Sequence, residues 1–270
     1  MPQWLLLLPL GLLVGGYGAL VGAGGGFVLM PILLLLYPHE SARVLTSISL
    51  AVSFCSALSG TGVYAWLRRI DLRSGLLLGV ATVPGAALGA LASHRVPRGP
   101  FDVAFGLLLL GLCLVLLRPP TPGGLILWRG GVQVSRELVD REGRAHRYSF
   151  ALLPGLLLSL GVGFVASLMG ISGGPIQVPL LVVVLGFPVP VATATSLFIS
   201  SIITAVGTTT HLLVGDFVGA ATRTLLLGIG MITGAQVGAR LSERVRPRLV
   251  LRLLALALAL LGARLIVGAF

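Results

Sequence analysis

The stretch GAGGGFVLMP, Gly22–Pro31, interrupts an apolar run from Leu5 to Leu36, and GISGGPIQVP, Gly170–Pro179, interrupts a second run from Leu152 to Phe187. At a shift of 148 residues Gly22, Gly25, Gly26 and Pro31 fall on Gly170, Gly173, Gly174 and Pro179. At a shift of 149, Thr46, Ser47, Gly79, Gly85, Gly89, Ser93 and Arg95 fall on Thr195, Ser196, Gly228, Gly234, Gly238, Ser242 and Arg244. Matches spread this widely indicate a duplicated structural unit. Paired interrupted apolar helices are the sequence sign of a transport site near the middle of a membrane. The chain therefore reads as a transporter.

Composition agrees. Hydrophobic residues make up 56% of the chain and charged residues 10%, and the mean hydropathy is +1.04, too apolar for a polar coat to cover. Lipid is the expected solvent, and an all-α, multi-pass protein of the cell membrane is the expected class. A bilayer core takes about 20 helical residues, so each broken run is too long for one span. The opening MPQWLLLLPLGLL lacks the charged leader and cleavage site of a signal peptide and reads as a retained first helix. Net charge is +11, from nineteen arginines, no lysine and eight acids. The arginines sit between apolar runs with no base-reading helix, which speaks against nucleic acid and for topology and anions. Cys55 and Cys113 are isolated in apolar segments, where a thiol acts as a small hydrophobe.

Three parts follow: a first transmembrane repeat over 1–118, a polar linker over 119–149 on the cytoplasmic side, and a second transmembrane repeat over 150–270. LILWRGGVQVSRELV, Leu125–Val139, has strand-like residues about Gly130-Gly131 and predicts a hairpin there. Four spans per half make the repeats parallel and divide the arginines 11 against 8. Five make them inverted and place 14 arginines on one side against 5, the stronger bias under the positive-inside rule. The inverted arrangement is the preferred one. Its difficulty is that Phe27–Tyr37 spans only about 16 Å, so that helix must be re-entrant or lie where the protein is thin.

A short helix is expected to start near Phe27 in one half and Pro175 in the other. First-turn amides lack intrahelical acceptors and carry the positive end of the helix dipole, and glycine lets an anion approach them. Gly24, Gly25, Gly26, Ser172, Gly173 and Gly174 are the leading candidates for the pathway; close helix packing is the alternative for any one break. Thr46-Ser47 and Thr195-Ser196 offer hydroxyls to an oxyanion, or else bond their own helix carbonyls. Gln177 and Gln236 add uncharged donors. Arg43 either attracts substrate or anchors topology. Asp71 and Asp216 read as helix N-caps before proton relays. His211, beside Thr208–Thr210, reads as interfacial before a switch. If H+ or Na+ is coupled, Asp216 and His211 are the groups to carry it. No metal site and no cofactor is expected.

These residues carry a resemblance. The chain resembles the TauE/SafE sulfite exporter family, which shows a Gly-x-Gly-Gly-Gly-x-x-x-x-Pro element and a downstream Ala-x-x-Thr-Ser element in each half. Here they stand as Gly22–Pro31 with Thr46-Ser47, and Gly170–Pro179 with Ala192–Ser196; Ser172 replaces a glycine, and Arg43 replaces the alanine. The resemblance implies transport of a small sulfur-containing anion (sulfite, thiosulfate, a sulfonate such as sulfoacetate) or a related organic acid. It fixes neither direction nor oligomeric state.

Two rivals are an anion channel and a sulfur relay through Cys55 or Cys113. An intramembrane enzyme is disfavoured, because phosphate-loop, dinucleotide and His-Glu-x-x-His patterns are missing and no carboxylate pair lies within the apolar segments.

Overall fold

A computed structural model describes residues 4–37, 39–116, 132–216 and 221–268. It is mostly helical, with ten α-helices among the described residues: α1 Trp4–Leu20, α2 Gly26–Leu36, α3 Ala42–Trp66, α4 Leu72–Ala92, α5 Arg98–Leu116, α6 Leu152–Leu168, α7 Gly174–Pro179, α8 Val189–Val214, α9 Ala221–Leu241 and α10 Pro247–Gly268. The strands β1, Gln133–Val139, and β2, Ala145–Ala151, form an antiparallel hairpin between α5 and α6. Among the described residues, four helices are long and apolar enough to cross a membrane: Ala42–Trp66, Leu72–Arg95, Val189–Val214 and Ala221–Leu241.

Local chemistry sets the ends of these helices. Ser41 caps α3 by accepting from the Val44 amide, and Asp71 caps α4 by accepting from the Ser74 amide at 3.0 Å, as N-cap side chains do. Gly215, at φ +83°, closes α8, the left-handed stop that glycine allows without strain. Asp71 is thus the cap expected of it, and Asp216 follows the Gly215 stop of α8. Residues 217–220, which the expectation for Asp216 involved, lie outside the described residues.

α1 lies parallel to α9, with Gly11 against Gly230 and Gly16 against Gly234 and Gly238. α6 lies parallel to α4, with Gly85 against Leu160 and Gly89 against Phe164. The long helices α3 and α8 pack together, as do α5 and α10. Each half therefore gives its first helix to the other half.

The short helices turn back. α2 ends with the Tyr37 ring under the Arg223 guanidinium, 4.3 Å from its centroid, near the start of α9 and so at the level where α1 begins. Phe187, just past a π-helical turn over Leu180–Val184 that follows α7, packs on Tyr148 and Phe150 of β2, next to the start of α6. Each pair, α1–α2 and α6–α7, is a helical hairpin with a glycine break at its tip.

Two ends result. The histidine end gathers the start of α3 and the ends of α4 and α8; the hairpin end gathers the end of α3 and the starts of α4 and α8. The β-hairpin grips the latter. The Tyr148 hydroxyl donates to Asp71 Oδ2 at 2.6 Å, Arg136 donates to Ser74 Oγ at 3.1 Å, and the Arg141 guanidinium covers the Trp66 ring. Burial, and then the bond to Asp71, hold the Tyr148 phenol far above its ordinary pKa, so it stays a donor. Gln133–Val139 is a strand as expected, and it pairs forward with Ala145–Ala151 through a turn at Asp140–Arg144. The Gly-Gly dipeptide lies outside the described residues. Asp140 wins the turn because its carboxylate accepts from the amides of both Glu142 and Arg144, the local bonding that favours aspartate in turns.

Candidate functional site

The tips of the two helical hairpins cross at the centre of the molecule. The break after α1 folds back on Gly18, whose carbonyl accepts from the Ala23 amide at 2.7 Å; after α6 the Ala166 carbonyl accepts from the Ile171 amide at 2.9 Å. These turns require left-handed backbone, with φ +75° at Gly22, +69° at Gly24, +77° at Gly25, +68° at Gly170 and +76° at Gly173. Glycine is the residue that adopts such angles without cost. Ser172 stands at the place of Gly24 but has no positive φ, so the breaks differ there in conformation as well as in residue.

Contact between the breaks is backbone to backbone. A methyl group at Gly174 would come 2.3 Å from Ala23 Cα and 2.6 Å from the Gly22 carbonyl oxygen. One at Gly26 would come 3.0 Å from the Ser172 amide, and one at Gly24 would meet Ser172 itself. The Ser172 hydroxyl donates to the Ala23 carbonyl. Gly25 instead faces Val14 and Met231, and Gly173 faces Ile203. All six candidate residues of the breaks are buried.

The long helices hold each crossing tip from the side. Ser196 donates to the Gly22 carbonyl at 2.7 Å and shares that proton with Thr193 of its own helix at 3.0 Å. Ser49 donates to the Gly170 carbonyl at 2.6 Å. Thr46 lies against Gly170, buried, with no hydrogen-bond partner for its hydroxyl. Ser47 bonds the Val44 carbonyl of its own helix at 2.8 Å, the local alternative. Thr195 accepts from the Asp71 amide at 3.1 Å. Gln177 is buried, its amide nitrogen 3.5 Å from Ser159 Oγ and its Oε1 unpartnered. Gln236 is exposed, away from the crossing. Ser53 carries a buried hydroxyl without a partner and sits where a side chain on Gly26 would point. Ser49 and Ser53 are missed by the repeat comparison, since they have no serine counterpart in α8 at that shift. Their signal is helical spacing, three and seven residues past Thr46 on one face of α3.

A small cavity of about 50 Å³ opens at the hairpin end, lined by Arg69, Arg144, Tyr64, Thr193 and Glu243 among others. Thr193 joins this cavity to the crossing, because its backbone lies against Gly22. Arg69 is buried and faces Asp140 at 3.8 Å and Glu142 at 3.4 Å, both from the β-hairpin turn.

The remaining candidates lie elsewhere. Arg43 is at the histidine end, 3.2 Å from Asp216, and Asp216 meets His211 at 2.7 Å. Cys55 is partly buried on α3 against Gly228, and Cys113 is buried on α5.

Known proteins place these observations. A family model described as sulfite exporter TauE/SafE matches residues 7–265. The probable membrane transporter protein YunE of Bacillus subtilis is 29% identical over 272 residues, covering 98% of this chain and 97% of the relative. A probable membrane transporter protein of Methanocaldococcus jannaschii is 23% identical over 91% of this chain and 90% of its own length. Another, from Sinorhizobium, is 28% identical over 92% and 89%. No solved structure matches.

Proposed function

We propose that this chain, which belongs to the sulfite exporter TauE/SafE family and is a membrane transporter, carries small sulfur-containing anions such as sulfite, thiosulfate or sulfoacetate, or related organic acids, across the cell membrane. The crossing of the two glycine breaks carries this reading: two chain segments far apart in sequence bring left-handed backbone, helix starts and buried hydroxyls to one central point. The hydroxyls of Thr46 and Ser53, buried without protein partners, are donors free to turn toward an oxyanion. Such a site offers donors and helix dipoles but no carboxylate, so it selects anions and rejects amines.

The route from the hairpin end runs through the Arg69–Arg144 cavity to Thr193 and Gly22. Its two guanidiniums, Arg69 and Arg144, are both paired with the Asp140 and Glu142 carboxylates, which hold them when no substrate does. The two halves act as inverted repeats, each with a re-entrant hairpin and three crossing helices, and the hairpin end faces the cytoplasm. Export of an anion is helped by a negative-inside potential of about 2.3 kcal/mol per charge per 100 mV. That favours an exporter, or weakly coupled transport, over a concentrative importer.

A thermal-shift series on purified protein tests the reading, with sulfite, thiosulfate, sulfoacetate, sulfate, acetate, taurine and a cationic amine. A ligand at 100 times its dissociation constant adds about 2.7 kcal/mol of stability, an easily visible shift. Stabilisation by the amine with none by any anion would defeat it. Channel activity is separated by liposome flux: a channel passes net current, whereas electroneutral exchange moves labelled anion without one.

A further inference from the structure

The histidine end holds a cluster that lies apart from the crossing of the glycine breaks. His94 lies in a short 3-10 turn, Ser93–Arg95, that continues α4; His211 is near the end of α8; and Asp216 follows the Gly215 cap. Asp216 Oδ2 is 2.9 Å from His94 Nε2 and 2.7 Å from His211 Nδ1. One donor atom from each residue lies within 4.8 Å of the other two. The imidazole rings are stacked, with centroids 5.7 Å apart and planes 14° from parallel. His211 and Asp216 are buried, and His94 keeps 19% of its side-chain surface exposed.

Two observations set this apart from an ordinary ion pair. His94 Nε2 is buried and makes no hydrogen bond, although Asp216 is so close; the nitrogen approaches the oxygen without pointing its proton at it. Asp216 also already has a cation, since Arg43 Nε sits 3.2 Å from its other oxygen, Oδ1. The carboxylate is thus held through one oxygen while two imidazole nitrogens converge on the other. Metal-ligating carboxylates are themselves held by outer partners, and Arg43 is so placed here.

We infer that His94, His211 and Asp216 bind one divalent transition-metal ion of the Zn²⁺ type. Two neutral imidazoles and a carboxylate suit borderline ions, whereas Mg²⁺ and Ca²⁺ ask for oxygen alone. With metal–ligand bonds of about 2.0–2.1 Å, donors at the tetrahedral angle stand roughly 3.3 Å apart. The ion is admitted once the two nitrogen–oxygen separations, 2.9 and 2.7 Å, each open by about half an ångström and the two nitrogens, which lie within 4.8 Å of each other, settle to that spacing. His94 belongs to the first half and His211 and Asp216 to the second, so the bound ion braces the two halves at this end.

The test uses full-length protein purified through a histidine-free tag and stripped with chelator. Titration with Zn²⁺ by calorimetry, and with Co²⁺ by visible absorption, is expected to give one ion per chain. His94→Ala and Asp216→Asn are each expected to weaken binding by more than tenfold. The double variant His39→Ala/His146→Ala, which removes the other two histidines, is expected to bind as the parent does. No stoichiometric binding to the parent protein, or undiminished binding to His94→Ala, overturns the assignment. His94 is the partly exposed ligand, so its variant serves even where His211→Ala does not fold. Anion-induced stabilisation of the stripped protein reports separately on the transport reading.

Discussion

Ser49 and Ser196 perform the same task on opposite halves, each donating to the carbonyl of the first glycine in the other half's break. Their protons are engaged, so neither is a spare donor for a ligand; Ser53, buried and unpartnered beside Gly26, is. The two kinds of serine should part under alanine substitution. Ser196→Ala leaves the Gly22 carbonyl unsatisfied and is expected to cost about 1–3 kcal/mol of stability. Ser53→Ala removes no bond and is expected to leave the melting temperature near that of the parent, while anion affinity falls by about 1–3 kcal/mol. Melting curves and anion titrations on the same two proteins check this; unchanged affinity in Ser53→Ala moves the ligand away from Gly26. Gly174→Ala is a poorer probe, because its methyl group would strike Ala23 and Gly22 whether or not an anion binds there.

Among the elements, α1 against α9 and α4 against α6 show the closest approach, with backbone meeting backbone at glycine. A methyl group on Gly234 would come 2.1 Å from the Leu12 carbonyl oxygen, whereas one on Gly62, exposed on α3, meets nothing within 4 Å. Gly234→Ala should therefore force the helices apart at a cost of about 1–3 kcal/mol or more. Gly62→Ala should stabilise α3 by up to roughly 1 kcal/mol. Thermal denaturation in detergent compares them, and an equal effect from both would mean these helices pack less closely than described. Much of this architecture is legible in the residues. The helices follow from apolar run length, and the breaks and short helices from doubled glycines, found within a residue of where they were expected. The forward partner of the strand is not legible, because Gly130-Gly131 and Asp140–Gly143 are both good turns in sequence; the bonds of the Asp140 carboxylate and the packing of Tyr148 and Phe150 on Phe187 hold the second. His94 is equally silent in sequence, a lone histidine past a helix end whose partners arrive from the other half of the chain. Arg43, which reads either as a substrate attractor or as a topology anchor, lies 3.2 Å from Asp216 at the histidine end, a contact that the sequence does not announce.

For the molecule as a whole, orientation is the testable property. Under the inverted arrangement 14 of the 19 arginines in the sequence share one side, which the positive-inside rule turns toward the cytoplasm. Single cysteines placed at Glu137 on β1 and at Gly99 by the start of α5, in a chain with Cys55 and Cys113 replaced by alanine, are expected to label from the cytoplasmic and outer faces respectively. Labelling of both from one face would exclude three crossings per half. The exchange of first helices has a further consequence. Because α1 lies along α9 and α6 along α4, neither half encloses its own core, and cutting the chain in the linker leaves two fragments that each lack a wall. Expressed singly, residues 1–118 and 150–270 should be degraded; expressed together, they should find each other, copurify and regain the parent's anion-dependent stability. Recovery of a monodisperse single fragment would mean that the halves are self-sufficient. In the intact chain the linker then acts as a matchmaker, keeping two mutually dependent partners at a fixed one-to-one ratio.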